Sequence, residues 1–532
     1  MLKEAVYYAR MARGLFDILR LPPPADPHAR LRDQMEHRAE RFLEQVRDHV
    51  FAAPDHPYRI MFEQAGCEYG DLENGVRSRG LEATLRQLRD SGVYLLHDEL
   101  KGKRPMVRNG REIPGSADSF LKRGNGGHWT SRSGGSRSAG TSTPHSTAYR
   151  AYRNCYEAVL TEEFGLAGRE CILLFPILPA PYVFPTARSS QHVGLHISRW
   201  FAVGGNMRDT GHYRMVTRAL VAEAKLLGTA IPWPEYLPPN DFTPVVKHLE
   251  KARARGRELV VRSIASPAVR VAAAASELGV SLAGVLFLVG GEALTEAKRE
   301  VIERSGAEVH SNYYISEVGT VGHGCGRMRT NCVHVFEDNI AVIAVDREAP
   351  LSGARVQSLH FTTLLPLNPR LLINAEMDDH GIVGPARCDC LFSQLGYTTQ
   401  IDGIYSFGKL TGYGATLVGS DILRVLERSL PQRFGGSPAD YQLVETESGG
   451  ESKLVLRVNP RTGVTDGDAV HEFFLNEVRG LFGGALSVRD WRHGDAFAVV
   501  MAEPESTPAG KVLSLHLLEE GARRQAKAGG RS

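Results

Sequence analysis

The sequence predicts an α/β protein, with a large multi-sheet N-terminal region followed by a small α+β unit. Three observations predict it. Residues 285–289 (VLFLV) form an apolar run of strand length. Gly290-Gly291 breaks that run, residues 294–305 carry Leu294, Ala297 and Val301 at helical spacing among charges, and residues 308–314 read as a second strand, so the stretch is a β-α-β unit. Short apolar strands also alternate with helices between residues 169 and 278, and a smaller β-α-β pattern begins at residue 420.

The totals fit this class. A chain of 532 residues is more than one domain. An apolar content of 42% and a charged content of 23% are ordinary for a globular protein, and a net charge of +2 gives no case for nucleic acid. Seven cysteines, an odd number, do not make a secreted disulfide framework. The N-terminus is an amphipathic helix interrupted by Lys3, Glu4, Arg10, Arg13 and Asp17, unlike a signal peptide. The longest apolar stretch, residues 171–185, holds four prolines and is too short to span a bilayer. A cytoplasmic protein without membrane contact is expected.

Taken in order, residues 26–100 read as helices: 30–50 has strong helix formers, 56–66 continues the pattern and 81–88 is a shorter piece. Residues 124–143 (GNGGHWTSRSGGSRSAGTST) lack aliphatic side chains and are dense in Gly, Ser, Thr and Arg. Such a loop can hold an anion with successive backbone N–H groups, and the same composition suits a flexible linker. A helix is expected over 145–163, strands over 169–175 and 260–264, and helices after the glycine turn near 204 and over 267–278. In open parallel sheets ligands bind beyond the carboxyl ends of strands. Gly290-Gly291-Glu292 and Ser316-Glu317 fall at such ends, and a hydroxyl with a carboxylate suits a phosphate and its magnesium ion.

Cys325, Cys332 and His334 lie close together, and Cys388 and Cys390 form a tight pair about 54 residues further on. Thiolates with an imidazole suit a structural zinc ion, and free cysteines are the plain alternative. Residues 359–365 read as a strand, residues 401–419 have the glycines of a hinge, and strands or helices recur at 441–446, 453–458, 469–482 and 496–501.

GGEAL followed by YYISEVG resembles the adenine-binding and Y-G-x-[ST]-E motifs of the adenylate-forming ligases, in the branch of the phenylacetate–CoA ligases. Tyr314 stands where that motif has Gly. The resemblance runs from about residue 40 to 515 and includes SIASPAVRVAAAASELGVSLAGVLFLVGGE. It implies a large adenylating region and a mobile lid: a helical part over 1–123, an ATP- and acyl-binding core over 124–404, a hinge over 405–419, the lid over 420–520 and a disordered tail over 521–532. It implies ATP, Mg²⁺ and a structural Zn²⁺. Ser133, Gly134, Gly135, Ser136 and Arg137 would hold phosphates; the family's Thr-Gly-Lys is absent there, and Arg137 is its candidate cation. Gly291, Glu292 and Ala293 would flank adenine, with Tyr313 and Tyr314 beside it. Ser316 would touch a phosphate, Glu317 would hold Mg²⁺, Asp378 (its close rival Asp379) would bind the ribose, and Lys511 would contact the reacting oxygens. Cys325, His334, Cys388 and Cys390 match the family's zinc ligands. His192, His196, Trp200 and Phe201 fall in the region of its acyl pocket, each more ordinary as a core or rim residue.

The activity implied is adenylation of an aryl or acyl acid, with pyrophosphate release and transfer to CoA, a carrier-protein thiol or an amine; a homodimer is among the expected assemblies. The altered phosphate loop and the missing hinge arginine keep a second reading open, a degenerate scaffold that binds a nucleotide or acyl ligand. A third changes the acid to a small inorganic one.

Overall fold

The computed structural model of this chain describes every residue except 1, 123–128, 133–141, 179–181, 204–210, 239–240, 292–293, 329, 349–354, 407–408, 411–416, 419–421, 423, 437–439, 449–450, 482–483, 505–514 and 517–532. Helices dominate the first hundred residues. Leu2–Leu19 buries Met11, Leu15, Ile18 and Leu19, a spacing that puts them on one face. The helical run expected over 30–50 is broken: Pro27–Glu36 ends at His37, Arg38–Val46 restarts there, and a π-turn follows over Arg47–Phe51. Pro57–Gln64 and Leu81–Asp90 complete the region.

Two hairpins follow, β1 (Met106–Arg108) with β2 (Arg111–Ile113) and β3 (Trp129–Arg132) with β4 (Ser142–His145). The main sheet then takes β5 (Glu170–Leu174), β6 (His196–Val203), β7 (Pro234–Leu237), β8 (Leu259–Ile264), β9 (Val285–Gly290) and β10 (Glu308–Ile315). It continues with β11 (Gly319–His323), β12 (Cys332–Val335), β13 (Ile340–Glu348), β14 (Arg355–Thr363), β15 (Ala375–Pro385) and β16 (Thr399–Ser406). Its twelve strands run in the order β13-β14-β15-β16-β12-β11-β10-β9-β8-β5-β6-β7. From β7 to β10 neighbours are parallel; from β10 to β13 they are antiparallel. β10 is therefore the seam between two half-sheets, and the β-α-β unit read from the sequence supplies it.

The central parallel strands β5 and β9 are buried on both faces, as helix-covered strands must be. One face packs against Thr243–Arg253 and Ala265–Glu277, the other against Thr147–Glu163, Val183–His192 and Gly211–Leu226. The antiparallel half shares its core with the N-terminal helices, where Phe42, Val46, Tyr58, Phe62 and Leu85 meet Ile340, Phe361, Leu372 and Met377. β17 (Lys409–Leu410) pairs with β18 (Leu417–Val418). A separate four-stranded sheet takes β19 (Tyr441–Ser448), β20 (Glu451–Val458), β21 (Phe497–Met501) and β22 (Leu515–His516). With Gly467–Arg479 it encloses a core of its own that includes Phe474, Trp491 and Phe497. Among the described residues, no helix is long and apolar enough to cross a membrane.

Candidate active site and metal centre

The seam holds Gly291, Tyr313, Tyr314, Ser316 and Glu317 among the residues singled out in the sequence. β9 ends at Gly290, and a Cβ there would lie 1.9 Å from Asn312 Oδ1 on β10, so any other residue would displace that side chain. Gly291 follows at φ +80°, a left-handed turn at the strand's carboxyl end. Glu292 and Ala293 lie outside the described residues, as do Ser133, Gly134, Gly135, Ser136, Arg137 and Lys511.

On β10, Tyr313 and Tyr314 make contacts on different sides. The Tyr313 ring packs edge-on to Phe361, and its hydroxyl donates to Asp379 Oδ2 at 2.6 Å. Tyr314 turns toward the Thr147–Glu163 helix, with the Arg153 guanidinium 5.3 Å from its ring centre. Burial pushes the Tyr314 hydroxyl up to about 12. Ser316 and Glu317 occupy the turn into β11. The Glu317 carboxylate is buried and ion-paired with Lys101 Nζ. Arg370, fully buried, adds a second positive field on it and donates to the Ala117 carbonyl. Gly319 ends the motif at φ +100°, and its missing side chain has a local cause: a Cβ would lie 2.0 Å from the Tyr149 hydroxyl. That hydroxyl accepts from the Thr320 N–H at 2.7 Å.

Asp378 and Asp379 sit where the ladder slips. His360 on β14 faces Glu376 while Ser358 faces His380, so β15 carries extra residues between them. Asp378 takes φ +60° in this bulge, and its Oδ2 lies 2.8 Å from His97 Nδ1. Its side chain is 22% exposed against 8% for residue Asp379, whose carboxylate accepts from Tyr313. Asp378 is thus the more reachable acid. His97 and Lys101 flank the short helix His97–Leu100, in a segment that the sequence reads as plain helical packing. No periodicity marks them, because their partners lie more than two hundred residues away.

Cys325, His334, Cys388 and Cys390 are brought together, their ligand atoms all within 4.8 Å of one another. His334 Nε2 lies 3.1 Å from both Cys388 Sγ and Cys390 Sγ. His334 Nδ1 lies 3.0 Å from the Tyr397 carbonyl, which as an acceptor fixes the proton on Nδ1 and leaves Nε2 free to ligate. Three thiols and an imidazole in one tight cluster are a tetrahedral soft-metal donor set. Cys332, the neighbour in sequence, is buried on β12 and is no part of the quartet.

The residues of the implied acyl pocket prove structural in part. Trp200 and Phe201 are buried in β6, and Trp200 Nε1 donates to the Phe175 carbonyl at 3.0 Å. His192 contacts Asn154, and burial lowers it to about 4.

No protein-family model matches the chain, and no curated protein does. Solved structures are similar to it. 2-Hydroxyisobutyryl-CoA ligase, in complex with 2-HIB-AMP and CoA in its thioesterification state, superposes with a TM-score of 0.57 at 14% identity, over 93% of this chain and 92% of that one. The same ligase in its postadenylation state, in complex with R3-HIB-AMP, gives 0.47 at 15% identity over 97% of each. The amide bond synthetase McbA from Marinactinospora thermotolerans gives 0.41 at 11% identity, over 92% of this chain and 98% of that one. Across nearly its whole length, this chain has the fold of 2-hydroxyisobutyryl-CoA ligase.

Proposed function

We propose that this protein is an ATP-dependent, AMP-forming ligase that adenylates an aryl or acyl acid, releases pyrophosphate and transfers the acyl group to CoA, a carrier-protein thiol or an amine. The observation that carries the reading is the fold shared over 93% of the chain with a ligase solved with 2-HIB-AMP and CoA. The Tyr313–Glu317 segment at the seam supports it. The GGEAL and YYISEVG phrases favour the phenylacetate–CoA ligase branch. In this reading Gly291, Glu292 and Ala293 border the adenine with Tyr313 and Tyr314, Asp378 takes the ribose, and Ser316 touches a phosphate. Glu317 holds Mg²⁺, which requires Lys101 to swing away from the carboxylate. Ser133 to Arg137 hold the outer phosphates, and Lys511, delivered by a lid over residues 420–520, neutralises the reacting oxygens. Positioning and charge neutralisation are what such a displacement needs from a protein. The Cys325, His334, Cys388 and Cys390 set fits Zn²⁺ in a structural role, and a cytoplasmic location suits its free thiols.

One observation favours a second reading. Glu317 is already neutralised by Lys101, as in a site that no longer takes a metal. The test is pyrophosphate release with ATP, Mg²⁺ and a panel of aryl, acyl and amino acids, comparing wild type with Glu317→Ala and Lys511→Ala. Acid-dependent release that falls by roughly 10²-fold or more in both variants is expected. Absence of release with every acid, in a folded protein that binds no ATP, leaves the scaffold reading.

A further inference from the structure

The Thr147–Glu163 helix begins just after the Gly/Ser-rich loop and runs beneath the seam. Its buried face is largely aromatic and aliphatic, yet two charged side chains, Arg150 and Glu157, are buried on it. Arg150, Arg153 and Glu157 lie along it, and Arg262 reaches in from β8. Glu157 serves two of the three cations: Arg262 Nη2 lies 2.5 Å from its Oε2, and Arg153 Nη2 lies 3.5 Å from its Oε1. Burial pushes Glu157 up, yet Arg262 and Arg153 outweigh it and hold the carboxyl at about 2.

Arg150 is left over. It is 7% exposed, and among the described residues its guanidinium makes no hydrogen bond and no ion pair. Its electrostatic neighbours are Arg153, which repels it, and the hydroxyl-bearing rings of Tyr314 and Tyr149. Burial and Arg153 together lower it to about 10. His323 adds no further positive charge, since burial keeps it neutral down to about 4. Three guanidiniums and one carboxylate therefore share this buried region. A cation largely withdrawn from water with no partner is among the costliest arrangements in a protein interior, and a bound anion would relieve it. None of the Arg150 nitrogens is among the fully sealed polar atoms, so the group still touches accessible space. The planar fork suits two oxygens of one carboxylate or phosphate.

We propose that Arg150, one helical turn before the Arg153 that lies over the Tyr314 ring at the carboxyl end of β10, is an oxyanion-binding residue of the reaction site. The oxyanion is a phosphate of the nucleotide or a carboxylate of the acid, an identification that rests on the adenylation reading. Tyr314 serves the same site: in the position where the family motif has Gly, its ring covers Arg153 and holds that guanidinium in place.

The experiment measures binding and melting, and needs no turnover. Wild type, Arg150→Met and Arg150→Lys are titrated calorimetrically with inorganic pyrophosphate, Mg-ATP, AMP and a panel of mono- and dicarboxylic acids, and their ligand-free melting temperatures are compared. Arg150→Met is expected to weaken at least one of these anions by about tenfold or more, with Arg150→Lys between the two. Loss confined to pyrophosphate and ATP assigns the phosphate source; loss confined to carboxylic acids assigns the acid. Ligand-free Arg150→Met is expected to melt at or above wild type, because it removes an uncompensated buried charge, whereas an arginine holding the fold together would melt lower. Anion binding unchanged in both variants, including no binding in any of the three, overturns the proposal. If pyrophosphate is never released with any acid yet Arg150-dependent binding persists, adenylation fails and the oxyanion site stands.

Discussion

Gly319 illustrates how one atom can decide a site. The Tyr149 hydroxyl occupies the space of its absent Cβ while accepting from the next backbone N–H, which pins β11 to the Thr147–Glu163 helix just past Glu317. Gly319→Ala adds a methyl at φ +100° into that hydroxyl and should cost about 2–4 kcal/mol in urea unfolding. A variant within 0.5 kcal/mol of wild type, about the spread of ordinary surface changes, would refute this packing. His360 sets a pH response. Burial lowers it to about 4 when folded, Arg89 and Arg347 acting the same way and the Asn374 carbonyl opposing, whereas unfolded it titrates near 6.5. Between those values the unfolded chain binds more protons. Stability from this group is therefore complete above 6.5 and declines as pH falls toward 4, by about 3 kcal/mol at most. His360→Gln should flatten the pH dependence of the urea midpoint in that window, and an unchanged slope would exclude His360 as its source.

At the scale of elements, the three cysteines and one histidine of the quartet come from separate pieces of the sheet and its connections. Cys325 lies just past β11, His334 on β12, and Cys388 and Cys390 between β15 and the short helix Leu391–Gln394. Purified protein should carry one zinc per chain by elemental analysis. Chelation or Cys388→Ser should remove it and lower the melting temperature by roughly 5 °C or more. Zinc-free wild type with an unchanged melting temperature would show the quartet to be idle. The grouping of these four residues was legible in the sequence because soft donors are few and distinctive. The β9-helix-β10 unit was legible because glycine punctuation and a 3.6-residue period are local signals. The helix break at His37 was not, since strong helix formers continue through it.

For the molecule as a whole, the α/β class could be read from the alternation of strands and helices, but the antiparallel half could not. Strands such as β12 are buried on both faces, which erases the alternating pattern. His97, Lys101 and Arg150 carry no signal in the sequence, and only the fold turns them inward. Lys101 and Glu317, for example, are separated by 216 positions in sequence. The lining of a site assembled across a seam is a property of the tertiary arrangement, whereas its central motif is a property of one strand.

The shared core of the N-terminal helices and the antiparallel half bears on how the chain is made. Phe42, Val46, Tyr58 and Phe62 leave the ribosome early, yet their packing partners Ile340, Phe361 and Met377 lie far downstream. At roughly 5–20 residues per second, the intervening segment takes on the order of tens of seconds to synthesise. Throughout that interval the apolar faces of these helices have only one another to pack against. The nascent polypeptide is thus a natural client for a holding chaperone, and a ribosome that stalls before β13 releases a fragment prone to clump.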